Sequence, residues 1–229
     1  NPTRLAHGRT SCQPWHSSVA ARHTHRATGV ALTWAYRAPW WLPGGDAQTI
    51  YAAKFAQRYE GAMPHWARER WFTPDADFVD VDWRHDETLG NQDAPLLVLF
   101  HGLEGSSSSH YAQAFAHETH TRGWHMAVPH FRGCSGELNW APRAYHSGDY
   151  EEVGWILNRF SQQHQGPIYA VGVSLGGNAL MRWAGEMGIS AGQIVQAIAS
   201  VCSPIDLTAS GNAIDRGFNK AVYARMFLS

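Results

Sequence analysis

Six residues, Gly172-Val173-Ser174-Leu175-Gly176-Gly177, constrain this chain more than any other feature. They close the apolar run Ile168–Val173 and precede Asn178–Met187, whose apolar spacing suits a helix. A serine at such a strand-to-helix turn is forced into a strained backbone. Glycines two before and two after it remove side chains that would collide there. The turn lifts the Ser174 hydroxyl clear of a sheet and sets the Leu175 N–H at a helix start, where a negative oxygen is favoured. Ser174 is therefore the candidate nucleophile and the Leu175 N–H a candidate oxyanion donor.

The flanking sequence supplies the sheet that this turn needs. Trp66–Phe72 and Phe78–Trp83 read as strands joined at Pro74-Asp75, which predicts an opening antiparallel hairpin. Pro95–Phe100 is continuously apolar, as a strand buried on both faces requires, and Trp124–His130, Ile168–Val173 and Ile194–Val201 repeat the theme. Gln48–Gln57, Tyr111–Thr121 and Tyr150–Gln163 have helical spacing. Strand alternating with helix predicts an α/β fold, a mainly parallel sheet with helices on both faces. At 229 residues, 44% hydrophobic and 16% charged, the chain can fill such a core. Its net charge of −1 excludes an overall electrostatic grip on nucleic acid or an anionic membrane. No apolar run reaches the ~18 residues of a spanning helix. Three cysteines, Cys12, Cys134 and Cys202, make no disulfide framework, and the expected location is cytoplasmic. Residues 1–45 hold five Arg and no acidic residue; 1–35 read as a disordered Arg/Ser/His-rich leader and 36–229 as the domain.

A second constellation, His101-Gly102-Leu103-Glu104-Gly105, follows the buried strand. A backbone N–H in that loop is the usual second oxyanion donor, here assigned to Leu103, and Ser106–Ser109 can cap the next helix. Fourteen histidines raise the question of metal. The pairs His117/His120, His120/His125 and His23/His25 lack the Cys or carboxylate spacing that completes a site, so no metal or cofactor is expected. His146 and Asp149 could act as base and orienter for Ser174. Their position before the serine favours instead a helix cap by Ser147 or Asp149 and local hydrogen bonding.

Seven motifs together resemble the YheT-like branch of the α/β-hydrolase superfamily from about Pro39 to the last residue. They are Trp41-Leu42-Pro43 with Gln48-Thr49-Ile50, Asp77–Trp83, His101–Ser107, Phe131–Glu137, Tyr145–Asp149, Gly172–Asn178 and Ser203–Leu207. The resemblance implies a serine hydrolase of carboxylic esters, with short or medium acyl chains or lipid esters as small-molecule substrates and Ser174 as nucleophile. It also implies about eight strands, whereas about six are counted. The triad order is Ser, then Asp or Glu, then His. After Ser174 stand only Glu186, Asp206 and Asp215, and His164 is the last histidine. Ile214, Phe218, Val222 and Met226 recur every four residues with no stop signal after them, as in a helix cut mid-run. The expectation is a C-terminally truncated chain, inactive alone, whose triad acid and histidine lie beyond residue 229. Two other functions fit the same pattern: a non-catalytic scaffold or binding protein, and an acyltransferase using the same turn.

Overall fold

A computed structural model of the chain describes residues 37–55, 63–84, 93–143, 145–146 and 148–217. The chain divides after Trp40 into two units, and the second, from Trp41, carries the sheet. Six strands are present: β1 (Trp66–Phe72), β2 (Phe78–Arg84), β3 (Leu96–Phe100), β4 (His125–Pro129), β5 (Ile168–Val173) and β6 (Ala197–Val201). Their spatial order is β1-β2-β4-β3-β5-β6, with β1–β2 and β2–β4 antiparallel and the other pairs parallel. The opening hairpin and the mainly parallel sheet are thus as expected. The continuation of the predicted C-terminal helix through Phe218, Val222 and Met226 lies outside the described residues.

The two faces of the sheet follow from the period of two along a strand. Leu96, Val98 and Phe100 of β3 point into a core shared with α3 (Tyr150–Gln163) and α4 (Leu175–Met187). Leu97 and Leu99 point the other way, onto Ala112 and Ala116 of α2 (His110–Thr121) and Met126 and Val128 of β4. All five residues of β3 are buried, which is why that run is apolar without alternation.

The strand order decides where a site can form. From β3 the chain crosses through α2 to β4 on one side; from neighbouring β5 it crosses through α4 to β6 on the other. Connections leaving adjacent strands in opposite directions open a crevice at the carboxyl ends of those strands. The His101–Gly105 loop and Ser174 both sit there.

Several boundaries differ from the sequence reading. The strand expected over Ile194–Val201 begins at Ala197, because a 3₁₀ turn (Gly188–Gln193) follows α4 after Gly188 takes a positive φ. The first helix runs Gly45–Phe55. Ser109 stands at the N-cap of α2 without a side-chain cap; its Oγ accepts the Ser106 N–H instead. Asp149 likewise heads α3 without capping it, because its carboxylate is drawn to Arg143. A true side-chain cap occurs at Asp206, whose Oδ1 accepts the Ala209 N–H at 2.9 Å and opens α5 (Leu207–Ile214).

The alternating run of β2 hides its acids rather than wetting them. Asp80 and Asp82 are buried and each receives a two-point guanidinium contact across the hairpin, from Arg70 and Arg68 respectively. Asp82 also accepts hydrogen bonds from Ser107 Oγ at 2.6 Å and His130 Nε2 at 2.7 Å.

Arg132, just past β4, joins three elements in the same way. Its guanidinium reaches Glu152 of α3 at 2.6 Å and Asp75 and Asp77 of the β1–β2 turn at 2.8 and 2.9 Å. Removing it deprives Asp77 and Glu152, both buried, of the guanidinium they share. Arg132→Met is therefore expected to cost about 3–5 kcal/mol of stability, read by urea unfolding. An unchanged midpoint would show that the carboxylates find water or a proton cheaply.

Candidate active site

Ser174 has φ +52 and ψ −117, a left-handed backbone that a serine adopts only when its surroundings impose it. Three contacts impose it. Its N–H donates to Val201 O of β6 at 2.8 Å. The helix after it begins at Leu175, three residues earlier than the apolar spacing indicates, so Gly176 and Gly177 lie inside its first turn. That turn is pressed against the sheet. A Cβ on Gly176 would stand 2.4 Å from His101 O and 2.5 Å from Phe100 O, and one on Gly172 2.4 Å from Gly177 Cα. Glycine is required at both positions because the nearest atoms are backbone.

Leu175 is the first residue of α4, so its N–H has no acceptor one turn back within the helix. The loop after β3 comes up beside it, and a Cβ on Gly102 would lie 3.3 Å from Ser174 Cβ. In that loop the Gly102 N–H donates to Tyr111 Oη at 2.9 Å, the Glu104 N–H to Tyr145 Oη at 3.0 Å, and the Gly105 N–H to Gly102 O at 3.0 Å. Among the described residues no acceptor takes the Leu103 N–H. The half-buried Ser174 hydroxyl is thus flanked by two elements that each present an unfilled amide, an arrangement suited to a developing negative oxygen.

Several of the described histidines are engaged elsewhere. His101 is fully buried; its Nδ1–H donates to Gly102 O at 2.7 Å and its Nε2 accepts the Phe131 N–H at 3.0 Å, which fixes the tautomer and uses both nitrogens. Burial, partly offset by the Gly102 hydrogen bond, holds it neutral down to about pH 4. His146 Nδ1 accepts the Gly148 N–H at 3.1 Å, the local bonding expected of it, while Ser147 lies outside the described residues. His120 contacts Arg84 at 3.0 Å, and His125 meets His164 edge to face at 5.5 Å. His117 is on α2. His23 and His25 lie outside the described residues. Among the described residues no three of His, Cys, Asp and Glu are grouped as metal ligands, and no helix is long and apolar enough to cross a membrane.

The sequence reading assigned no role to Tyr111, Tyr145 or Glu104. Glu104 has φ +52, for which no glycine or asparagine gave warning. Tyr145 stood in one of the motifs, but its contact with Glu104 spans 41 residues and has no local signature.

These ionisations set a pH dependence of stability. Burial holds His101 neutral down to about pH 4 and shifts His164 in the same direction, so below about pH 6.5 the unfolded chain binds protons that the folded one refuses. Asp75 is held down to about 2 by Arg132 and Thr73. Burial works against charge on Asp82, yet Arg68, His130 and Ser107 outweigh it and keep its carboxyl well below the usual range. Both carboxylates lose their contribution as pH falls below about 4. The expected result is a melting temperature that declines from about pH 6.5 and drops more steeply below pH 4. His101→Gln should flatten part of the first decline, and a profile level from pH 7 to 4 would contradict the assignment.

Residues 95–226 match the profile of the alpha/beta hydrolase fold family. YheT of Escherichia coli (strain K12) is 42% identical over 168 residues, covering 72% of this chain and 47% of that protein. The medium-chain fatty acid ethyl ester synthase/esterase 2 of Saccharomyces cerevisiae is 33% identical over 129 residues, 54% of this chain and 28% of that one. The chain thus spans less than half the length of either. Among solved structures, the Pyrococcus furiosus esterase Pf2001 superposes with a TM-score of 0.51 at 18% identity, covering 73% of this chain and 65% of that one, a likeness of fold. With the profile lying over β3 to α5 and the YheT identity alongside it, the chain belongs to the alpha/beta hydrolase fold family, in its YheT-like branch.

Proposed function

We propose that the protein is a serine hydrolase of carboxylic esters. Ser174 Oγ attacks the ester carbonyl, the Leu103 and Leu175 N–H groups receive the resulting oxyanion, and the alcohol leaves to give an acyl-enzyme that water then cleaves. The observation that carries this reading is the left-handed backbone of Ser174 at the end of β5, beside a loop with one unfilled amide. Strain of that kind persists at positions that function needs, since a glycine would remove it at no cost in packing.

The names of the relatives point the same way: YheT is provisionally named an esterase, and the yeast protein's name joins medium-chain acyl groups, an ester and its hydrolysis. Short or medium acyl esters, or lipid esters, are therefore the substrates proposed. A serine hydroxyl needs an imidazole to take its proton and return it to the leaving alcohol. No histidine follows Ser174 within the 229 residues, and His101 has no free nitrogen. The base is therefore no residue between Ser174 and Ser229. Transfer of the acyl group to an alcohol instead of water is a second reading, supported by the word synthase in the yeast relative's name.

The test is labelling of the full-length protein with a fluorophosphonate, followed by turnover of a p-nitrophenyl ester series from acetate to decanoate, with Ser174→Ala alongside. Labelling that survives the substitution would remove Ser174 from the role.

A further inference from the structure

We infer that Tyr145 is a positioning residue: its hydroxyl, bonded at once to the N–H and the carboxylate of Glu104, holds the loop after β3 in the turn that leaves the Leu103 N–H open to an oxyanion. The inference rests on the acyl-enzyme reading of Ser174.

The loop has few ways to aim that amide. The Leu103 N–H and the Gly102 carbonyl belong to one trans peptide unit, so they point in opposite directions. Gly102 O is pinned twice, by His101 Nδ1–H at 2.7 Å and by the Gly105 N–H at 3.0 Å. That fixes one end of the Leu103 residue. The other end is the peptide linking Leu103 to Glu104, whose N–H goes to Tyr145 Oη at 3.0 Å. The same hydroxyl donates its proton to Glu104 Oε1, also at 3.0 Å. Glu104 is therefore gripped at backbone and side chain by one oxygen.

The grip opposes a real tendency. Glu104 sits at φ +52, and a residue with a Cβ tends to relax from the left-handed region to negative φ. Such a rotation would swing the Gly105 amide off Gly102 O and release the peptide unit that carries the Leu103 N–H. The Tyr145 ring is itself seated: it stacks on Phe131 with centroids 5.3 Å apart and planes 6° from parallel. Phe131 meets the edge of His101 at 5.0 Å and donates its N–H to His101 Nε2. The two residues that pin the loop, His101 and Tyr145, thus share one aromatic support from the β4 exit. Burial also pushes the phenol well above its ordinary pKa, so the hydroxyl keeps its proton.

The test uses Tyr145→Phe in the full-length protein, which keeps the ring on Phe131 and deletes both hydrogen bonds to Glu104 together with the contact to the Cys134 thiol. The expected result is a roughly 10-fold fall in kcat on a p-nitrophenyl ester, with KM within about twofold, since a misaimed donor acts on the transition state more than on bound substrate. The discriminating readout is the same substitution in a Glu104→Gly background. Glycine takes φ +52 without strain, so the loop no longer needs the hydroxyl, and the cost of Tyr145→Phe should shrink to about threefold or less. An unchanged kcat in Tyr145→Phe, or an equal loss in both backgrounds, would overturn the inference, the latter meaning that the ring pocket alone was disturbed. Should Tyr145→Phe not fold, Glu104→Ala serves: it keeps the N–H contact, loses the carboxylate, and should lower kcat by about threefold. No change there overturns the inference too. Ser174→Ala run in parallel separates the two readings. Turnover that survives it sinks the nucleophile assignment, whereas turnover lost there but intact in Tyr145→Phe sinks only the positioning role.

Discussion

Replacing Ser174 by Ala in the full-length protein is expected to cut ester turnover by roughly 10⁴- to 10⁶-fold and to abolish fluorophosphonate labelling. The size follows from the division of labour in such sites. Without the nucleophile only binding and oxyanion stabilisation remain, and these account for about 10³- to 10⁴-fold over water. Binding should be nearly unaffected, because the hydroxyl contributes bond-making rather than substrate grip. Stability offers an independent check on the same residue. Ser174 and its alanine replacement share the cost of φ +52, so their melting temperatures should agree closely, while Ser174→Gly should gain about 1 kcal/mol by releasing the strain. The 229-residue chain by itself is expected to turn over ester no faster than its own Ser174→Ala variant, because no histidine follows the serine. Turnover in that chain, lost with Ser174→Ala, would require a histidine that precedes the serine to serve as base.

Gly176→Ala should be nearly as damaging, by a different route. The added methyl would lie 2.4 Å from His101 O and 2.5 Å from Phe100 O, backbone atoms at the end of the central strand that cannot rotate aside. The first turn of α4 has to lift, carrying the Leu175 N–H and the Ser174 backbone with it. A loss of about 3 kcal/mol or more is expected, seen as a melting temperature lower by roughly 6–12 °C, together with most of the activity. Gly185→Ala is the control. It lies in the same helix with nothing within 4 Å of the new methyl, and should gain about 0.5–1 kcal/mol from better helix propensity. If the two variants melt alike, the close approach of α4 to β3 is not a constraint on the fold.

Local chemistry made much of this legible in advance. The unbroken apolar run Leu96–Phe100 announces a strand covered on both faces, and it is buried throughout. The Gly172 to Gly177 spacing announces a turn in which side chains collide, and the close backbone approaches at Gly172 and Gly176 bear that out. The helix caps were less legible. Ser109 and Asp149 are good capping residues by type, but each had a stronger partner elsewhere, the Ser106 amide in one case and the Arg143 guanidinium in the other. A side chain takes the best partner that packing brings to it, and residue type names only the options.

The contrast runs through the site itself. By itself the sequence determined the serine turn, the candidate amide of Leu175 and the succession of strands and helices, because steric exclusion at glycine and the periods of 2 and 3.6 act between near neighbours. It determined also that no imidazole follows Ser174 in these residues. Only the tertiary structure decided that β3 lies next to β5, and so that Gly102 comes against Ser174 although 72 positions separate their numbers. It alone decided that Glu104 turns left-handed under Tyr145, and that Asp80, Asp82 and Asp77 are buried beneath arginines rather than facing water. Those outcomes depend on which distant groups the packed sheet brings within about 3 Å of one another, a choice that no local pattern encodes.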